Sequence, residues 1–148
     1  MDNQNFKAVF LFDQSPKEVF GAVNNVRGWW SETVEGGTHN LNDEFVYHHG
    51  DLHCSKQKLT EVIPNKKVVW LITDSELTFV KNKTEWNGTN IVFEITEQDG
   101  KTQLTFTHHG LVPQFECYGA CSGGWTYYLQ SLSNLITTGK GHPDEKSR

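Results

Sequence analysis

Apolar positions along this chain change their period, and the changes mark its elements. Phe6, Ala8, Phe10 and Phe12 alternate with Lys7, Val9, Leu11 and Asp13, the period of a strand with one aromatic face. Ser15-Pro16-Lys17-Glu18 follows at once. Ser at the N-cap, Pro at the first helical position and Glu two residues beyond it form a capping box. The helix it opens is expected to turn Val19, Phe20, Val23 and Val26 inward and to stop near Arg27-Gly28, with Trp29-Trp30-Ser31-Glu32 as a short second helical turn. Gly36-Gly37 reads as a loop. Strands are expected from Glu44 to His49 and from Leu52 to Ile63, separated by a turn at His49-Gly50-Asp51. Pro64-Asn65-Lys66 turns the chain into the apolar run Val68–Ile72.

Residues 75–88 sustain no period: Leu77, Phe79, Val80 and Trp86 are apolar, and Asn87-Gly88 has the composition of a tight turn. Ile91, Phe93 and Ile95, then Leu104, Phe106 and His108, alternate on either side of a hairpin turn at Gln98-Asp99-Gly100. From about Pro113 to Thr138 the period lengthens. Tyr118, Cys121, Trp125, Leu129, Leu132 and Ile136 recur at spacings of three or four, one stripe of a single long helix with aromatics at its start and aliphatics at its end. A helix of roughly 24 residues is about 36 Å long, enough to cross an antiparallel sheet. Gly139 is its expected C-terminal cap.

This order predicts an α+β fold: a curved antiparallel sheet wrapped around a long C-terminal helix, with two short helices after the first strand. Such a sheet leaves room against the helix, a natural pocket for an apolar small molecule. One domain is expected over 1–139, with 140–148 as a polar tail.

Composition narrows the partners. Apolar residues make up only 36% of the 148, yet the chain holds five Trp, nine Phe and four Tyr. Each aromatic buries roughly 150–250 Å², so rings supply the core. The net charge of -5 comes with no basic block, which argues against nucleic acid and anionic membrane. No apolar run approaches the ~20 residues of a membrane span, and the first residues lack the pattern of a secretion signal. Three cysteines (Cys54, Cys117 and Cys121) fit no disulfide framework and suggest free thiols in a cytoplasmic setting. Without a signal, the triplets at Asn82 and Asn87 read as chance matches to the glycosylation pattern.

The motifs as a set resemble the START-like helix-grip (SRPBCC) superfamily, and more narrowly a single-domain relative of the Hsp90 ATPase activator (Aha1) C-terminal domain. The resemblance rests on Ser15–Val23, Trp70 after the Pro64 turn, Thr84-Glu85-Trp86 before the Ile91–Ile95 strand, Thr105–Leu111, and the ending Gly124-Trp125 … Ser131-Leu132 … Thr138-Gly139-Lys140-Gly141. It implies a sheet around the last helix with a ligand cavity between them. It also raises two further activities: a cyclase or hydrolase using that cavity, or a chaperone ATPase regulator. The eukaryotic activator uses two domains and this chain corresponds to the C-terminal one, which weighs against the chaperone role.

Trp29, Trp30, Phe45, Tyr47, Trp70, Phe79, Phe93, Phe106, His108, Trp125, Tyr128 and Leu129 are the candidate ligand-binding residues. His108 and Tyr47 would orient a ligand through their polar tips; the same residues serve equally as plain core. For chemistry, His108 and Glu85 are the candidate acid and base. His48, His49, His53 and Cys54 cluster, but HHGxxHC matches no metal-ligand spacing, so neither metal nor cofactor is expected. Cys117 and Cys121 share a helical face and read as small apolar filling. Gly123-Gly124 inside a helix costs about 0.8–1.0 kcal/mol per glycine; close packing on the sheet, or close backbone approach at the pocket, would offset it. There is no phosphate loop and no GxSxG elbow.

Overall fold

The computed structural model describes residues 6–31, 34–49, 53–77, 87–110 and 118–141. Strand β1 (Phe6–Phe12) leads through the Ser15 cap into helix α1 (Pro16–Asn24) and a single turn, α2 (Val26–Trp29). Six further strands follow: β2 (Glu35–Gly36), β3 (Glu44–His49), β4 (His53–Ile63), β5 (Lys67–Leu77), β6 (Asn90–Gln98) and β7 (Lys101–His109). Helix α3 (Tyr118–Thr138) closes the order. The strands form one antiparallel sheet in the order β1-β7-β6-β5-β4-β3-β2, so the first strand is an edge beside the last.

The capping box forms as its residues dictate. Ser15 Oγ accepts from the Glu18 amide and Glu18 Oε1 accepts from the Ser15 amide, satisfying two donors that a helix start leaves orphaned. The helix ends earlier than its apolar spacing suggests, at Asn24. Asn25 leaves helical geometry with ψ 64°, and the second helical turn is Val26–Trp29 rather than one that starts at Trp29; Glu32, its expected end, lies outside the described residues. The break points Val26 and Trp29 into the core together. Gly36, expected in a loop, instead pairs with Phe45 in a two-residue edge strand. Its φ of +113° and the Glu44 carbonyl beside it admit only glycine there. Asp99 and Gly100 both have positive φ, the signature of the tight hairpin turn read from their types.

α3 lies across the sheet with Trp125, Leu129, Leu132 and Ile136 buried along one stripe, as their spacing predicts. Its 21 described residues span about 31 Å; Pro113 to Cys117, where the sequence starts the helix, lie outside the described residues. After the αL cap at Gly139 the chain turns back, and Gly141 is buried against Gly28 and Ser131. A Cβ at 141 would stand 2.5 Å from the Gly28 carbonyl oxygen. This contact pins α2 to α3.

Two irregularities in β4–β5 set which side chains face the helix. Lys56 pairs with Asp74 but Gln57 pairs with Ile72, leaving Thr73 as the extra residue of a bulge; Thr60 is the extra residue of a second. A bulge flips the alternation. Ile72 and Ser75 therefore both face inward, although an unbroken strand would put them on opposite faces.

Candidate functional site

Between sheet and helix lies a continuous stack of rings, nucleated by α2. Trp30 lies over Tyr47 with centroids 4.2 Å apart and runs parallel to Trp70 at 5.7 Å, with only 2° between the planes. Trp29 backs it at 6.1 Å and Trp125 of α3 meets it at 5.0 Å. Phe45 sits edge-on to Trp70, Phe93 likewise, and Phe106 joins Phe93 to Trp125. Edge-to-face and offset pairs of this kind contribute about 0.5–1.5 kcal/mol each beyond burial. Trp29, Phe45, Trp70, Phe93, Phe106 and His108 are 0% exposed. Arg27 braces the segment beyond it, donating from Nε to the Val34 carbonyl and from Nη2 to the Gly36 carbonyl, each at 2.8 Å.

The sequence-based candidates converge on this stack: Trp29, Trp30, Phe45, Tyr47, Trp70, Phe93, Phe106, His108, Trp125 and Leu129 are all buried in it or against it, and Tyr128 is half-buried at its margin. Phe79 and Glu85 lie outside the described residues. The side chains of His48, His49, His53 and Cys121, and all of Cys117, lie outside them as well.

His108 is held at both ring nitrogens. Trp125 Nε1 approaches Nδ1 at 3.0 Å, and Nε2 stands 2.8 Å from Thr89 Oγ1. An indole N–H only donates, so Nδ1 accepts, the proton sits on Nε2, and Thr89 receives it. The histidine ties α3 to β7 and to the start of β6 as an uncharged ring. At the margin, Tyr47 and Tyr128 bring their hydroxyls to 3.0 Å.

Three polar residues beside this stack escaped the sequence reading. Ser55 and Ser75 pair across β4 and β5, Tyr47 pairs with Ser55 across β3, and Gln57 occupies the next inward position. Ser55, Gln57 and Ser75 are all buried. Gln57 donates from Nε2 to Ser55 Oγ, and Ser75 Oγ donates to Asn87 Oδ1 at 2.7 Å. A signal for two of them existed: Lys56 and Lys58 must face solvent, which turns Ser55 and Gln57 inward. Ser75 was hidden by the bulge. Two atoms on this inner face, Gln57 Oε1 and Trp70 Nε1, are buried without any hydrogen-bond partner.

Elsewhere the chain offers less. Burial raises the Cys54 thiol pKa, helped by the Asp74 and Glu76 charges, which disfavours a nucleophilic thiolate. Among the described residues no group of three metal-ligating side chains assembles, and no helix is long and apolar enough to cross a membrane. Gly123 and Gly124 meet neither expectation, since a Cβ on either would touch nothing within 4 Å. An open groove of 710 Å³ lies at the opposite end, between Ser15–Lys17, the β4–β5 turn and the end of β6. Its Lys17, Lys66, Lys67, Glu94 and Glu97 make it a mixed-charge surface, unlike the ring stack.

Solved structures share this architecture. The solution structure of the Aha1 dimer from Colwellia psychrerythraea is 23% identical, covering 93% of this chain and 98% of that one with a TM-score of 0.74. DynU16, described as a putative protein in the dynemicin biosynthetic locus, is 15% identical over 98% of this chain and 52% of its own, with a TM-score of 0.66. CalU16 from Micromonospora echinospora is 13% identical over 90% and 76%, with a TM-score of 0.64. At these identities the likeness establishes the helix-grip fold. No curated protein matches the sequence significantly. One family model, described as Activator of Hsp90 ATPase homolog 1-like protein, matches residues 15–137. With the START-like sheet and gripped helix in place, the chain belongs to this Activator of Hsp90 ATPase homolog 1-like family.

Proposed function

We propose that the protein binds a small hydrophobic or aromatic molecule between the sheet and α3, entering beside Tyr47 and Tyr128. The observation that carries this reading is the placement of polar groups. A core with only a structural task gains nothing from burying Gln57, Ser55 and Ser75 among tryptophans. An unsatisfied buried polar atom costs about 1–3 kcal/mol, and two of them face this interior. The ring side chains are buried from solvent, so a ligand that reaches them must favour a state in which they are accessible. β3, β5 and β7 all run toward the end of the sheet that carries Tyr47.

Binding without chemistry is the better reading of the same interior. His108 has both nitrogens committed to Trp125 and Thr89, which leaves it no site for shuttling a proton in this arrangement. A cyclase or hydrolase reaction in the cavity would need that network to break first. The family description favours a second reading, regulation of an Hsp90-type ATPase.

Native mass spectrometry of freshly expressed protein tests the first proposal. A co-purified small molecule, recovered chemically unchanged and lost on unfolding, is the expected result. A protein that carries no ligand, and whose melting temperature moves with no aromatic compound tested, overturns it. Stimulation of an Hsp90-type ATPase by the stoichiometric protein would move the assignment to the second reading.

A further inference from the structure

Gln57 Oε1 lacks a donor and Trp70 Nε1 lacks an acceptor, and both residues are 0% exposed. They are neighbours. On the regular stretch between the two bulges, Gln57 pairs with Ile72 and Leu59 pairs with Trp70, so Gln57 and Trp70 are diagonal partners on the inner face. Diagonal positions lie roughly 7–8 Å apart at the backbone, within reach of long side chains. A residue with a partnerless acceptor and a residue with a partnerless donor thus occupy diagonal positions on one face. The other buried atoms lacking partners, Gln14 Oε1 and Asn24 Oδ1, sit apart at the two ends of α1.

We infer that Gln57 and Trp70, with the hydroxyls of Ser55 and Ser75 one position nearer the edge, form a recognition site for an uncharged hydroxyl group on an aromatic ligand. The inference rests on the interior-binding reading above. A hydroxyl supplies both missing halves at once: its hydrogen goes to Gln57 Oε1 and its lone pair accepts from Trp70 Nε1. An anionic group fits poorly. Among the described residues no charged side chain faces inward here. Lys56 points out to pair with Glu44 at 3.1 Å, and Asp74 and Glu76 are exposed. A carboxylate taken into this interior would lose its hydration with no cation to replace it. The aromatic body follows from Trp30, Trp70 and Tyr47, whose faces already stack in this region.

The test uses three probes of one shape, naphthol, naphthalene and naphthoate, titrated into the intact protein and followed by amide chemical shifts. Naphthol is expected to bind about tenfold more tightly than naphthalene, the worth of one net hydrogen bond, and naphthoate more weakly than either. Gln57→Leu combined with Ser55→Ala removes both partners of their bond together. The double variant should abolish the preference for naphthol, leave naphthalene binding in place, and melt at a higher temperature than the parent. Equal binding of naphthol and naphthalene, tighter binding of naphthoate, or a preference that survives the double variant would each overturn the inference while sparing the interior site. If none of the probes binds, the interior-binding reading falls with it. A lower melting temperature for the double variant would also overturn the inference, since Gln57 would then be serving stability.

Discussion

The interior has two ends, and they are built from different materials. At the hairpin end, where β1 meets α1 and the β6–β7 turn, the sheet offers Phe12, Phe93, Ile95, Leu104 and Phe106, and α1 and α3 answer with Val19, Val23, Leu132 and Ile136. At the opposite end, where β3, β5 and β7 finish, the same face carries Tyr47, Ser55, Gln57, Ser75, Thr89 and His108. Rings span both regions; the hairpin end buries Thr102, whose hydroxyl donates to the Gln14 carbonyl, and the Gln14 amide oxygen, whereas the second end places several amide and hydroxyl groups among the rings. A fold needs the first kind of packing to exist. The second kind holds groups that lower stability unless something satisfies them, and natural sites show that exchange of stability for function.

The comparison is tested most severely at Phe93. It is fully buried and touches Trp29, Trp70 and Phe106. Phe93→Ala should cost about 3–5 kcal/mol in denaturant unfolding, because the ring's transfer free energy is lost and its cavity cannot collapse among rigid neighbours. A cost under about 1 kcal/mol, the scale of an exposed-site change, would show that the hairpin end is loosely packed and would erase the contrast.

At the polar end a smaller change isolates hydrogen bonding from volume. Trp125→Phe keeps an aromatic in place but removes the N–H that meets His108 Nδ1 at 3.0 Å. An unsatisfied buried nitrogen costs about 1–3 kcal/mol, and the variant should lose that much stability. The imidazole signals of His108 should move with it, because the donor that fixes its tautomer is gone. Unchanged imidazole shifts would mean that the bond does not hold the ring.

How far each end was legible in the sequence follows from the same contrast. Alternation in β1, β6 and β7, the Ser15 capping box, the Asp99-Gly100 turn and the apolar stripe of α3 are local signals, and each formed as its residues predict. The ring cluster was legible as composition plus period. The helix break at Asn25 was not, because Val19, Val23 and Val26 fit one continuous helix and nothing apolar marks the kink. The polar end was the least legible. Its inward Ser75 depends on the Thr73 bulge, and a bulge is a property of two paired strands that neither strand states alone. The partnerless atoms of Gln57 and Trp70 are likewise visible only once the neighbours are placed.

The smallest expected effect belongs to the hairpin end's surface. Lys101, beside the β6–β7 turn, donates to Asp13 at the end of β1 and ties the edge strand to its neighbour. That hydrogen bond, together with the ammonium charge, holds the Asp13 carboxyl below its ordinary value of 3.8. A carboxylate lowered in the folded state stabilises the fold at pH above its unfolded pKa, and the contribution disappears as pH falls through the folded one. Asp13 is fully exposed, so salt should weaken the effect further. Lys101→Met should return the Asp13 titration, followed by its carboxyl carbon shift, toward the ordinary range without altering the pH dependence of the His108 signals. If the substitution also moved those signals, the two ends would be coupled through β7, and the division of the interior into a structural half and a binding half would have to give way to a single responsive strand.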